Sequence, residues 1–256
     1  MWTDITDIRN FYSSALGRVA RRLILRRLME VWPDLKGDKI AGIGYATPYM
    51  QLYRENAERC LAMMPARQGV VNWPSEGLSS SALIDEDVLP LTDGAVERVM
   101  LAHCLEHADD PGHLLHETSR ILAPGGRLMM IVPNRRGVWA RIDNSPFGHG
   151  RPFSRGQLTR LMRECHFSPS EWREALYVPP ITRYGILRMA TAMEALGHAM
   201  PPFFGGVLIV EAVKEYRVPR PAHALERVRR RLPDLNPAPV PVPANRAGPE
   251  DSGSSF

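Results

Sequence analysis

Residues 84–134 decide the fold, and they read IDEDVLPLTDGAVERVMLAHCLEHADDPGHLLHETSRILAPGGRLMMIVPN. The stretch opens with an acidic turn, continues through an apolar run at 96–102, and then shows helical spacing of apolar residues over 110–122. It closes on Pro124-Gly125-Gly126 and a second apolar run at 128–132. A strand, a helix and another strand in this order predict a βαβ unit whose two strands are parallel.

The same alternation extends to both sides of this stretch. Short apolar runs predict further strands at 39–43, 60–64, 82–84, 174–178 and 207–213. Helical spacing is found at 48–59, at 154–165 with Ser154 as the cap, and at 182–196. The chain is therefore predicted to be of the α/β class with a parallel sheet.

The N-terminal residues predict an additional element. Apolar residues recur every three or four positions from Ile8 to Glu30, so residues 1–35 are expected to contain an amphipathic helix packed on the domain. The opposite face of this helix carries Arg18, Arg22 and Arg26. These arginines either bind an anionic membrane surface or RNA, or stay in water while the apolar face covers the sheet.

Composition limits the class of protein. The chain has 256 residues, of which 44% are hydrophobic and 23% charged, as is ordinary for a soluble globular protein with one large core. No run approaches the roughly 18 apolar residues of a membrane span, so none is expected. Cys60, Cys104 and Cys165 are widely spaced, which predicts reduced thiols and a cytoplasmic location.

The last 40 residues differ from the rest of the chain. They contain eight of the 23 prolines, and seven arginines against four acids give them +3 of the total net charge of +4. We therefore predict a folded domain at 36–216, followed by a basic, proline-rich and disordered tail at 217–256. Docking of a protein partner by this tail is the alternative.

The quoted stretch resembles the second half of class I S-adenosylmethionine-dependent methyltransferases, in particular the small-molecule group called type 11. The features that carry the resemblance are Asp85-Glu86 before Leu89-Pro90-Leu91, then Leu105-Glu106-His107, then Pro124-Gly125-Gly126. The resemblance covers about residues 36–215. It implies a Rossmann-like methyltransferase fold with a mainly parallel seven-stranded sheet, a final antiparallel strand and helices on both faces. It also implies S-adenosylmethionine as the cofactor and a small molecule as the methyl acceptor.

The resemblance places the cofactor at the carboxyl ends of the strands. It implies the cofactor-binding residues Gly42, Gly44, Ala46, Met64, Asp85, Glu86, Leu101 and Ala102. The first loop departs from the family pattern acid-x-Gly-x-Gly-x-Gly, because the four positions read Gly42, Gly44, Ala46 and Pro48. No carboxylate follows the second strand, where the family holds the ribose. Weak cofactor binding is therefore expected.

Candidate residues for chemistry follow the fourth and fifth strands. His103 is the one residue beside the expected sulfur position that could act as a base or orient an acceptor hydroxyl, and a core histidine is the alternative. In the long loop 134–154, Arg135, Trp139 and His149 are candidates for substrate contact. His103-x-x-Glu106-His107 also matches a zinc-protease pattern, but that chemistry needs both histidines on one helix face, so no metal is predicted.

The sequence therefore leaves two main functions open. The first is a methyltransferase acting on a small molecule, favoured by the regular stretch 84–134. The second is a catalytically inactive relative that serves as a binding or regulatory module, favoured by the altered first loop and the missing ribose acid. A protein that binds nucleic acid or a membrane surface through its basic helix and tail is a third, weaker interpretation.

Overall fold

The computed structural model describes residues 2–143, 145–180, 194 and 205–215. The chain divides into two units, 1–216 and 217–256, and all described residues lie in the first. The helix predicted at 182–196 lies outside the described residues except for Glu194, and the predicted tail lies outside them entirely.

Seven strands form one sheet. They are β1 (Lys39–Gly44), β2 (Arg59–Pro65), β3 (Ser81–Ile84), β4 (Val96–Ala102), β5 (Leu122–Pro133), β6 (Phe167–Ala175) and β7 (Val207–Lys214). Their order in the sheet is β3-β2-β1-β4-β5-β7-β6. The first five are parallel, whereas β7 is antiparallel to both of its neighbours. The predicted Rossmann-like fold with a final antiparallel strand is confirmed.

Five α-helices with described bounds accompany the sheet. They are α1 (Ile5–Ser13), α2 (Ala15–Val31), α3 (Thr47–Met50), α4 (Pro111–Ile121) and α5 (Arg155–Glu164). Ser154 caps α5 through a capping box with Gln157, as its position in the sequence predicted. Asp110 caps α4 by accepting a hydrogen bond from the His113 backbone N–H. None of the described helices is long and apolar enough to cross a membrane.

The predicted N-terminal helix is two helices. Ser14 has extended backbone angles, and its hydroxyl accepts a hydrogen bond from the Gly17 N–H, so it ends α1 and caps α2. A Cβ on Gly17 would lie 1.9 Å from the Phe11 carbonyl oxygen. The absence of a side chain at this position therefore lets α1 fold back closely against the start of α2.

The helix predicted at 48–59 is much shorter in the structure. It ends at Met50, and the N–H groups of Leu52 and Tyr53 then bond to carbonyls three residues back, which tightens the chain into turns. The Tyr53 hydroxyl donates to the Trp32 carbonyl at 2.8 Å and anchors these turns to the end of α2. The prediction was wrong because this tertiary contact outweighs local helical spacing.

β6 extends well before the predicted strand at 174–178. It pairs with β7 from Phe167 to Ala175, although its exposed face is polar. β6 lies at the sheet edge, so one face can carry polar side chains while the backbone remains paired. Its apolar pattern is therefore too weak to reveal the full strand.

The core lies in two layers, one on each face of the sheet. One layer packs α1 and α2 on sheet residues such as Ile40 and Met100, and the other packs α4 and α5 on residues such as Val99 and Leu128. These sheet residues are fully buried. The two layers fix the strand ends, and thereby the edge of the sheet that carries the candidate site.

Candidate functional site

β1 and β4 end side by side at the carboxyl edge of the sheet. Gly44 pairs with Ala102, and the Tyr45 N–H donates to the Ala102 carbonyl at 2.8 Å. Gly44 has a φ of 80°, and a Cβ there would lie 2.4 Å from that carbonyl oxygen. Glycine is therefore required by the turn and by the contact of the two strand ends.

Most residues that the sequence assigns to the cofactor lie inside the protein. Seven of the eight are buried by protein atoms, namely Gly42, Gly44, Ala46, Met64, Glu86, Leu101 and Ala102. A Cβ on Gly42 would lie 2.0 Å from the Met50 sulfur, so the Met50 side chain already occupies the space above this glycine. The first loop is thus packed by its own neighbours.

Helix α1 covers this edge of the sheet. The Tyr12 ring is stacked on Tyr45 with centroids 5.9 Å apart. Its hydroxyl shares hydrogen bonds with the Tyr49 hydroxyl at 2.5 Å and with Nε2 of His103 at 2.7 Å. At the other end of α1, the Ile5 N–H donates to the Gln68 carbonyl at 2.9 Å. The helix therefore spans the region between the turn after β2 and the loop after β1.

His103 lies at the centre of this arrangement. It is 1% exposed, has a φ of 52°, and contacts the Phe147 ring at 4.8 Å between centroids. Burial, with a smaller effect of His107, lowers the pKa of His103 to about 3. In the described state His103 is therefore a neutral hydrogen-bonding group between Tyr12 and the end of β4.

Buried polar atoms without hydrogen-bond partners gather around His103. Among the described residues they include Nδ1 of His103, Oε1 of Gln68 and both carboxyl oxygens of Glu106. Nδ1 of His103 lies 3.7 Å from Oε1 of Glu106, and Nε2 of Gln68 donates to the His103 carbonyl at 2.8 Å. Such atoms are rare in folded proteins and concentrate at sites that bind ligands or perform chemistry.

Glu106 carries the carboxyl of this group, and it is 1% exposed. Burial raises its pKa to about 8, although the nearby backbone N–H groups of Glu106 and Cys104 offset part of this increase. The carboxyl is therefore mostly protonated at neutral pH. The same burial raises the pKa of Tyr12 well above its ordinary value.

The two acids after β3 lie in different environments. Asp85 is exposed, and its carboxylate accepts a hydrogen bond from the Asp87 N–H at 3.0 Å. Glu86 is 8% exposed and lies 3.7 Å from Nε of Arg67, which also pairs with Asp109. The two acids therefore lie at the rim of the same edge. The Asp85 carboxylate is exposed and bonds to the local backbone, whereas the Glu86 carboxylate is buried near Arg67.

A cavity of about 620 Å³ opens next to Glu106. It is lined by Trp2, Thr3, Asp4, Asp7, Glu106, His107, Asp109, His149, Gly150 and Arg151. Its volume falls within the range of small-molecule sites. The segment before α1 and the first turn of α1 therefore form one wall of this cavity, while the rest of the same helix covers the loop after β1.

The long loop after β5 contributes to this region, but its three candidate residues lie in different places. His149 is exposed and lines the cavity, and Arg135 is exposed elsewhere on the loop. Trp139 is fully buried, with its Nε1–H donating to the Val178 carbonyl at 2.6 Å and its ring against Phe147. The Arg151 N–H donates to the Glu106 carbonyl at 2.7 Å and ties the loop to the site.

Sequence reasoning did not assign three central residues of this arrangement. Tyr12 belongs to a helix assigned only a packing role, and Gln68 lies in a segment assigned to a loop. Glu106 entered only as part of the motif Leu105-Glu106-His107 and of the rejected zinc-protease pattern. Its position three residues after His103 is the one sequence signal that could have identified it. No three His, Cys, Asp or Glu side chains of the described ranges are arranged to hold a metal ion.

Comparisons with known proteins agree with the fold and the motifs. Residues 41–130 match the family described as "Methyltransferase domain", type 11. A probable S-adenosylmethionine-dependent methyltransferase of Mycolicibacterium smegmatis is 33% identical over 81 residues, 31% of each chain. An uncharacterized Streptomyces fradiae protein is 38% identical over 98 residues, 38% of this chain and 27% of that protein. The chain thus spans less than a third of each relative.

A solved structure shows the same architecture over most of the chain. It is a Thermotoga maritima protein described as an S-adenosylmethionine-dependent methyltransferase and possible histamine N-methyltransferase, with a TM-score of 0.55 and 17% identity. The match covers 82% of this chain and 96% of that one. Residues 41–130 thus match the methyltransferase domain in sequence, and the sheet order and the solved structure show that the chain has the class I methyltransferase fold.

Proposed function

We propose that this protein transfers a methyl group from S-adenosylmethionine to a small molecule. The observation that carries the proposal is the group of buried polar atoms without partners at the ends of β1 and β4, on Gln68, His103 and Glu106. In parallel α/β sheets this edge is where ligands bind. The adjoining cavity of about 620 Å³ supplies space for a small acceptor.

The cofactor does not fit these residues while α1 covers them. The ring and hydroxyl of Tyr12 occupy the space between Tyr45, Tyr49 and His103, and Met50 fills the space above Gly42. The described state is therefore a closed one. Displacement of α1 would join the loop after β1 to the cavity, because the same helix forms the boundary between them.

The start of α2 provides the pivot for this displacement. Ser14 has extended backbone angles between the two helices, so rotation there moves α1 without unwinding α2. Once the edge is open, the backbone of residues 44–46 and the carboxylate of Asp85 would hold the cofactor, which supplies the reactive methyl group. The chain itself then has to orient the acceptor, with His103 as the hydrogen-bonding side chain closest to the end of β4.

Calorimetric titration with S-adenosylmethionine and S-adenosylhomocysteine tests the proposal. We expect binding with a Kd of about tens of micromolar, because two charged contacts of the family are missing. Tyr12→Phe removes the hydroxyl that holds α1 closed and should tighten binding. Arg160→Ala, at an exposed position of α5 that is paired with Glu164 and is not part of the cavity lining, is the control and should change nothing. Absence of binding in all three proteins would reject the proposal.

A non-catalytic binding module is the second candidate. It is favoured by the sequence Met63-Met64-Pro65 at the end of β2, which offers no carboxylate for a ribose, and by the closed position of α1. This candidate predicts that no methyl acceptor is consumed even when the cofactor binds. Transfer of radiolabelled methyl groups from S-adenosylmethionine to a fractionated metabolite extract discriminates between the two candidates.

A further inference from the structure

Glu106 is a buried acid with no cationic side chain paired to its carboxyl among the described residues. It lines the cavity and is 1% exposed, and the N–H groups near its carboxyl belong to the backbone of Cys104 and of Glu106 itself. A buried carboxylate is costly unless a cation or several donors pair with it, so an acid without a cation stays protonated. Glu106 is therefore a group that a positive charge at this edge would ionise and hold.

Among the described residues no arginine or lysine forms an ion pair with Glu106, although Arg151 lines the same cavity and acts on Asp109. The titratable groups that interact electrostatically with the Glu106 carboxyl include the phenols of Tyr12 in α1 and Tyr49 in α3. His103 and Cys104, in the same segment as Glu106, also interact with it. Burial keeps His103 neutral. Arg67, a nearby cation at this edge, is already engaged by Asp109 and Glu86.

We propose that Glu106 is the counter-ion of the bound cofactor and replaces the acids that are missing at Gly42 and after β2. This inference rests on the proposed function. S-adenosylmethionine is an organic cation with a sulfonium and an α-ammonium group, and either could meet the carboxylate. Glu106 is placed for this contact because it adjoins His103 at the end of β4 and faces the cavity.

A proton should leave when the cation arrives. The carboxyl is mostly protonated at neutral pH, and an adjacent positive charge favours its ionised form. Binding at about pH 7 should therefore release up to about one proton to the buffer. A ligand bound without a charge contact at Glu106 would release none from this group.

The number of protons released on binding is measured by calorimetry in two buffers of different ionisation enthalpy, phosphate and Tris. S-adenosylmethionine is titrated into the full chain, into Glu106→Gln and into Glu164→Gln. Glu164 is the matched control, because it is an exposed glutamate of α5 that pairs with Arg160 and is not part of the cavity lining. We expect proton release by the wild type, none by Glu106→Gln, and a Kd raised about tenfold or more in Glu106→Gln but less than about twofold in Glu164→Gln.

S-adenosylhomocysteine identifies the charged group, because it lacks the sulfonium but keeps the α-ammonium. Release with S-adenosylmethionine alone assigns the sulfonium, and equal release with both assigns the ammonium. The inference is overturned if proton release survives in Glu106→Gln, or if that variant folds and keeps its Kd within about twofold. Failure of every form to bind either compound rejects the proposed function, and this inference with it.

Discussion

The two halves of the sheet keep the methyltransferase plan to different degrees. β4, α4 and β5 follow it closely, with Asp110 capping α4 and the two strands paired in parallel from Arg98 to Ala102 after a register shift. β1, α3 and β2 keep the strands, but α3 is only four residues long, and Met50 and Tyr12 fill the region above the first loop. The strands can thus pair and the core can pack even where the loop that would bind a cofactor is altered.

The largest expected effect on the free energy of unfolding is that of Gly44→Ala. It tests whether Gly44 is required by the fold or by a ligand. Gly44→Ala places a Cβ 2.4 Å from the Ala102 carbonyl oxygen at a φ of 80°. We expect the free energy of unfolding to fall by about 4 kcal/mol. Gly77 has a φ of 85° with nothing within 4 Å of its Cβ position, so Gly77→Ala should cost only about 1 kcal/mol.

Urea unfolding of the two glycine variants measures this difference. Equal losses would mean that the left-handed backbone angle alone decides the cost. A loss below about 1 kcal/mol for Gly44→Ala, combined with weaker cofactor binding, would show that this glycine serves the ligand rather than the strand ends.

Glu106→Gln tests the cost of the unpaired acid. The folded pKa of about 8 lies above the ordinary value of 4.5, so the folded state holds a proton that the unfolded state has released, and wild-type stability falls as pH rises between these values. Glutamine does not titrate. The variant should gain about 2–4 kcal/mol relative to the wild type at about pH 8.5 and almost nothing at about pH 4.5.

Thermal unfolding followed by circular dichroism across this pH range checks the prediction. A gain independent of pH would mean that packing, not ionisation, explains the effect of Glu106→Gln. A loss at all pH values would mean that the carboxyl is paired in the folded protein.

Tyr12→Phe tests the contact that holds α1 closed. The substitution leaves Tyr49 and His103 without the hydroxyl they share, and should lower the free energy of unfolding by about 1–2 kcal/mol. Hydrogen exchange of residues 5–13 should accelerate, while exchange in α2 stays as in the wild type. Equal acceleration in both helices would show that α1 and α2 open as one unit.

Asp85→Ala should have the smallest effect on stability. The side chain is exposed, and its local hydrogen bond to the Asp87 N–H contributes at most about 1 kcal/mol. Its role in cofactor binding stays a prediction, and binding of S-adenosylhomocysteine to the variant measures it. Unchanged affinity would remove Asp85 from the cofactor site.

The sequence predicted the strands and the fold because apolar runs and caps are local signals. Strand β4 and the cap Ser154 are examples. The arrangement over the site was not predictable in this way. The contact between Tyr12 and His103 joins residues 91 positions apart, and the break at Ser14 is hidden because apolar spacing continues across it. The burial of Glu106 likewise depends on α1 and on the loop after β5.

Hydrogen exchange of α1 with and without saturating S-adenosylhomocysteine tests the central claim most directly. If α1 covers the cofactor edge and must leave it for binding, residues 5–13 should exchange faster in the complex, while the strand ends at Gly44 and Ala102 become better protected. Equal or greater protection of α1 in the complex would contradict the account, because it would show that the cofactor binds beneath or beside a helix that stays in place.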